Sequence, residues 1–219
     1  CLIYEDHPML DPLGNEHLNR LELAQLQKLH RERFGSFSDF EFYFVGNFEE
    51  ESLRTFVKTY LASLPATKEK EKIVDAGVRP FSGIKEVRFA KGSSESAYVA
   101  HATTDAFKVS DDNKVDMSAM IMVLNEKLRE NIRERMSGVY AIQAWPGYID
   151  HPRSAYTITI WMSCSPERVD ELNTAIYATI DSLIAGNFED RYVDSAKAVL
   201  QKRYEESVSQ NRYWMSRIK

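Results

Sequence analysis

The chain changes its apolar rhythm several times, and each change marks an element. From Glu16 to Phe34, residues Leu18, Leu21, Leu23, Leu26 and Leu29 recur among charged positions at a spacing that predicts an amphipathic helix. The aromatic run FSDFEFYFVGNF follows, and its alternation puts Phe40, Phe42 and Phe44 on one face of a predicted strand. Asn47, with Glu50 three residues on, has capping-box spacing. It opens a helix carrying Leu53, Phe56, Val57, Tyr60, Leu61 and Leu64, which Pro65 stops. Residues 66–83 are charged, aperiodic and punctuated by Gly and Pro, the pattern of a surface connection.

Two strand candidates, IKEVRFA and ESAYVAHATT, come next, separated by the turn-like KGSS. A long helix is expected from about Asp112 to Arg135, with Val115, Met120, Ile121, Leu124, Leu128 and Ile132 as its apolar seam. After a Ser137-Gly138 turn, a strand runs from Val139 to Trp145, a loop occupies PGYIDHPRS, and a strand runs from Tyr156 to Cys164. In that last strand Ile158, Ile160, Met162 and Cys164 share one face, opposite Thr157, Thr159, Trp161 and Ser163. Trp161 is out of place on the polar face, which implies a covering helix, a cavity or an interface. Ser165-Pro166 supplies an N-cap and first-turn pair for a helix with Val169, Leu172, Ile176, Ile180 and Leu183, closed by Gly186. A final helix starts near Glu189. Strand pairs alternating with single helices define an α+β fold, a largely antiparallel sheet covered on one face by helices.

Composition narrows the function. At 219 residues, 43% hydrophobic and 28% charged, the chain is long enough to bury a core without disulfides. A net charge of −5 argues against a nucleic-acid-binding surface, and no apolar run approaches the roughly 20 residues of a membrane span. Cys1 and Cys164 form no metal-spaced cluster, and Cys164 reads as a small buried hydrophobe. The first residues, CLIYEDHPML, and the last, NRYWMSRIK, both look like cut ends, so a fragment of a longer protein is expected.

None of His7, His17, His30, His101 and His151 has the spacing that zinc ligation on one helix face requires. No nucleophile elbow and no phosphate-cradling glycine loop is present. One pair remains. Arg133 and Tyr140 stand seven residues apart on either side of the Ser137-Gly138 corner. Spacing alone allows two readings: a cation stabilising a helix end followed by a strand aromatic, or two polar groups aimed at one site.

Three segments carry a resemblance. LRENIRERMSGVY is similar to the stretch containing an Arg/Tyr pair in the insulinase–pitrilysin family of zinc metallopeptidases. FYFVGNFEEESLRTFVKTYLASLP resembles the strand–helix opening of a non-catalytic domain of that family, and NRYWMSRI resembles its N-x-x-W stretch. The likeness runs from about Leu21 to Ile218. It implies an insulinase-type (LuxS/MPP-like) α+β domain, with residues 1–35 as linker and helix from a preceding region and 36–219 as one non-catalytic domain truncated at its C-terminal helices. It further implies peptide substrate as ligand, Arg133 and Tyr140 as substrate-binding residues, and Ser137, Gly138 and Trp161 as secondary candidates. Zinc is expected in a catalytic domain of the same chain or a partner chain, where metal-bound water attacks the peptide bond, and not in this fragment, which lacks HxxEH. The alternative on the same fold is an inactive structural or interaction subunit of the core or processing-partner type. A bacterial periplasmic location is the implied compartment.

Overall fold

A computed structural model describes residues 4, 7–67, 71–93, 95–134, 136 and 139–218. In chain order the elements are α1 (Asn15–Asn19), α2 (Leu23–Phe34), α3 (Glu50–Phe56), β1 (Ala97–Ala106), α4 (Asp111–Leu128), β2 (Val139–Ile149), β3 (Ala155–Cys164), α5 (Val169–Ile184), α6 (Asp190–Ser207) and α7 (Asn211–Arg217). The chain divides into two compact units, Cys1–Gly83 with Glu206–Lys219, and Ile84–Glu205.

In the first unit no described helix residue is buried. That explains where the sequence pattern overreaches. The predicted helix over Glu16–Phe34 breaks between Asn19 and Leu23, and Glu22 takes an extended conformation. A leucine stripe without a packed surface lacks the tertiary contribution that holds long helices together. The run through Phe40, Phe42 and Phe44 forms no strand. High β-propensity is realised only through a paired, half-buried ladder. Here the rings pack on one another instead, Phe37 tilted against Phe40 with centroids 4.6 Å apart and Phe40 stacked on Phe42 at 6.4 Å. The cap of α3 is Glu49 and not Asn47: its carboxylate accepts from the backbone N–H of Ser52 at 2.6 Å and of Glu51 at 3.0 Å. An anion at the positive end of a helix outcompetes a neutral amide, and the Ser52 contact lowers the Glu49 pKa. Beyond Phe56 the helix widens into a π-type turn, Val57–Leu61.

The second unit holds the core. β1 and β2 flank β3, both antiparallel to it, in the order β1-β3-β2. The predicted strand at IKEVRFA is not formed; residues 84–90 carry no ladder. β2 is longer than its pattern implies, running through Pro146 and Gly147 to Ile149. Proline lacks an N–H, and only an edge strand such as β2 tolerates it. The alternation in β3 is as the pattern predicts: Ile160, Met162 and Cys164 are buried, with Ile158 packed beside them. They meet Ile121, Leu124, Leu128, Ile132, Leu172 and Ile176 in one cluster. Burying each such side chain contributes on the order of 1.5–3 kcal/mol. Val115 and Met120 stay exposed, and Met117 completes the seam, because the 117-121-124-128 spacing follows the helical repeat more closely. Burial pushes the Cys164 thiol pKa up, which keeps it protonated and unreactive.

Polar contacts register the helices on the sheet. On α5, Asn173 Oδ1 lies 3.0 Å from His101 Nε2 and the Tyr177 hydroxyl lies 3.2 Å from His101 Nδ1, tying that helix to β1. Over β2, the Asn125 side chain donates to the Ala144 carbonyl at 2.9 Å and accepts from the Ala144 N–H at 2.7 Å. One amide thus stands in for a neighbouring strand at the middle of the sheet edge. Asn125→Ala would orphan both backbone groups of Ala144, which is only 2% exposed. The expected loss is about 1–3 kcal/mol by urea denaturation. A variant as stable as the parent protein would show that water replaces the amide.

α5 starts at Val169, after a 3₁₀ turn over Pro166–Arg168 that Ser165 precedes without a side-chain cap. Gly186, at φ +74°, follows the α5 cap residue Ala185, in the left-handed conformation that its position after the helix predicts.

Candidate substrate-facing site

Arg133 owes its place to a change of helical pitch. α4 runs without a break into a π-helical segment, Arg129–Glu134, with i→i+5 bonding in place of i→i+4. Within it Ile132 is fully buried in the core, while Arg133 beside it is exposed. The Arg133 side chain makes no hydrogen bond or ion pair among the described residues.

Tyr140 owes its place to a bulge. Val139 pairs with Cys164 and Ala141 with Ser163, so Tyr140 is the extra residue of β2 with no partner on β3. Bulges bend an edge strand and re-aim a side chain, and they concentrate next to active sites. Tyr140 is 63% exposed and its hydroxyl has no partner among the described residues. A guanidinium and a phenol without partners among the described residues offer a ligand two kinds of donor: one a fixed fork, the other a single O–H on a flat ring. No hydrogen bond joins the two. Ser137 and Gly138, the expected turn between them, lie outside the described residues.

Trp161 stands apart from this pair. It lies on the sheet face away from the core, where the register aligns it with Ala100 and Gln143. Its indole stacks on Tyr98 with centroids 5.9 Å apart, which accounts for a tryptophan on the strand's polar side. The same register places Tyr98, Ala100, Ala102 and Thr104 of β1, and Ala141, Gln143 and Trp145 of β2, on that face. None of them is charged.

Sequence reading did not find the π-helical pitch or the bulge. Nor did it find the contact between Glu130 and Tyr192, whose hydroxyl lies 2.7 Å and 2.9 Å from the two carboxylate oxygens. That hydrogen bond is the first cause of a lowered Glu130 pKa. The Lys127/Glu130 spacing on one helix was the available signal. Among the described residues no group of three His, Cys, Asp or Glu side chains could hold a metal ion. No described helix is long and apolar enough to cross a membrane.

A three-stranded antiparallel sheet with helices over one face is the α+β architecture expected of an insulinase-type domain. The chain belongs to the peptidase M16 inactive domain family, whose model matches residues 20–200, as the insulinase–pitrilysin resemblance implies. It is 23% identical over 159 residues to the probable zinc protease PqqL of Haemophilus influenzae, covering 70% of this chain and 16% of that protein. It is 24% identical over 195 residues to the probable zinc protease PqqL of Escherichia coli K12, covering 87% of this chain and 20% of that protein. The crystal structure of the periplasmic protease PqqL from Escherichia coli superposes with a TM-score of 0.67 at 19% identity, over 77% of this chain and 19% of that one. The chain thus spans a fifth or less of the length of these relatives.

Proposed function

We propose that this chain serves as the substrate-binding, non-catalytic domain of a zinc-dependent endopeptidase. Residues 36–219 act as the domain and 1–35 as the lead-in to it. The metal and its attacking water come from a zinc domain elsewhere in the same polypeptide or in a partner chain. The observation that carries the reading is Tyr140: an exposed phenol set in a β-bulge shortly after an exposed Arg133, neither side chain having a partner among the described residues.

The chemistry follows from those two groups. Attack on a peptide carbonyl builds negative charge on its oxygen, and a phenol O–H held there stabilises that charge more than it stabilises the starting carbonyl. Arg133 either grips a backbone carbonyl of the peptide through its donor fork or holds Tyr140 in its working orientation. Trp161 and its neighbours on the uncharged sheet face are secondary contacts for the peptide. Membership of the M16 inactive domain family and the zinc protease relatives support this reading. The periplasmic description of the Escherichia coli relative supports a bacterial periplasmic location.

The purified chain by itself is expected to bind no zinc in equilibrium dialysis and to cleave no peptide, with or without added metal. Cleavage by the isolated chain would overturn the proposal. In the assembled peptidase the decisive experiment is Tyr140→Phe. An unchanged turnover there favours the alternative, an inactive structural or interaction subunit on the same fold.

A further inference from the structure

Three consecutive residues of the π-helical segment are each anchored to a different part of the second unit. Glu130 accepts the Tyr192 hydroxyl of α6. Asn131 Nδ2 donates to Thr179 Oγ1 of α5 at 3.3 Å, and that threonine is buried. Ile132 is sealed in the core. The next residue is Arg133, whose side chain has no partner among the described residues.

The Glu130 anchor is the most elaborate of the three. Tyr192 is only 7% exposed. Its hydroxyl spends its single proton on Glu130 and accepts from Arg191 Nη2 at 2.9 Å and Lys127 Nζ at 3.3 Å, so every bonding position of the phenol is filled. Lys127 Nζ lies 4.4 Å from the ring centroid and the Arg191 guanidinium carbon 4.8 Å from it, while Lys127 also reaches Glu130 at 3.4 Å. A satisfied polar network of this kind, partly withdrawn from water, rigidifies the turn that carries it. A π turn is a less regular geometry than an α turn and persists where its surroundings hold it.

We infer that Glu130 and Tyr192 are positioning residues that hold the π-helical turn and so present Arg133 to the substrate. The inference rests on the function proposed above for Arg133, and it assigns a role to a contact between α4's extension and α6 that lies beyond that pair. Tyr192→Phe is the suitable probe because it keeps the ring and both cation–π contacts and deletes only the hydroxyl. Glu130→Gln keeps an acceptor for that hydroxyl and removes the charge, which gives a second variant if the first folds poorly.

Two readouts test it. In the chain itself, Tyr192→Phe should speed amide hydrogen exchange at residues 129–134 by roughly tenfold while leaving β3 unchanged. In the assembled peptidase, Tyr192→Phe should lower kcat/KM by roughly five- to tenfold, but by less than about twofold when Arg133→Ala is already present. Unchanged exchange at 129–134 in both variants overturns the inference. Equal losses of kcat/KM with and without Arg133 also overturn it, because Tyr192 then acts by another route. If Arg133→Ala alone leaves kcat/KM intact, the function proposed for Arg133 fails, and the exchange result still decides whether the contact holds the turn.

Discussion

Replacing Tyr140 with phenylalanine is expected to lower kcat of the assembled peptidase about a hundredfold or more, with KM within about twofold of its original value. Removing one oxyanion-stabilising donor typically has an effect of that size, roughly 3–4 kcal/mol in the transition state. Under the proposed role the change falls on kcat, because a donor of that kind acts on charge that appears only as the bond is attacked. Stability should be unaffected. The ring stays, its hydroxyl has no partner to lose among the described residues, and the side chain is mostly exposed, so the change in unfolding free energy should stay within about 0.5 kcal/mol. Steady-state kinetics with a fluorogenic peptide, alongside a thermal melt, separates the two effects. Full retention of kcat/KM in a folded variant would remove Tyr140 from the chemistry.

Leu128→Ala is expected to produce the largest loss of stability among the substitutions considered, about 3–5 kcal/mol. Leu128 is fully buried, and it is the last residue of α4 before the helix changes pitch. It lies in the same cluster as Ile132, Met162, Cys164, Leu172 and Ile176, contributed by the π segment, β3 and α5. Truncation removes the transfer energy of its methyl groups and leaves a cavity that three elements would have to close together. Against a total of roughly 5–15 kcal/mol for a domain, that is about a fifth or more of what keeps the unit folded. Urea denaturation followed by circular dichroism measures it. A loss under about 1 kcal/mol would mean that the neighbouring side chains collapse into the gap.

These two residues also show what the amino-acid pattern makes legible. Leu128 is predictable because burial imprints a period on the sequence: the seam of α4, the alternation of β3 and the stripe of α5 could all be read from spacing. Tyr140 and Arg133 emerge from the likeness of a short motif, and no periodicity reports what positions them. One extra residue in a helical turn, or one unpaired residue in a strand, leaves the polar and apolar pattern on either side almost intact. The π turn at 129–134 and the bulge at 140 are therefore silent in the sequence although they set where both side chains emerge. The opposite error arises where propensity is strong and a partner is missing, as along Phe40, Phe42 and Phe44, because a strand is a property of a pair of segments. Trp161 was conspicuous on the polar side of β3, and its stacking partner Tyr98 lies on a strand more than fifty residues earlier, out of reach of any local rule.

The bidentate grip of Asn125 on Ala144 has a consequence for anything that approaches the outer margin of β2. An extended polypeptide aligning there meets a main-chain donor and acceptor already engaged halfway along. It can zip onto the residues before Ala144 or onto those after it, and cannot run continuously past it. A single asparagine thereby interrupts the free main-chain groups of this margin and divides it into two short stretches, one of which begins beside Tyr140.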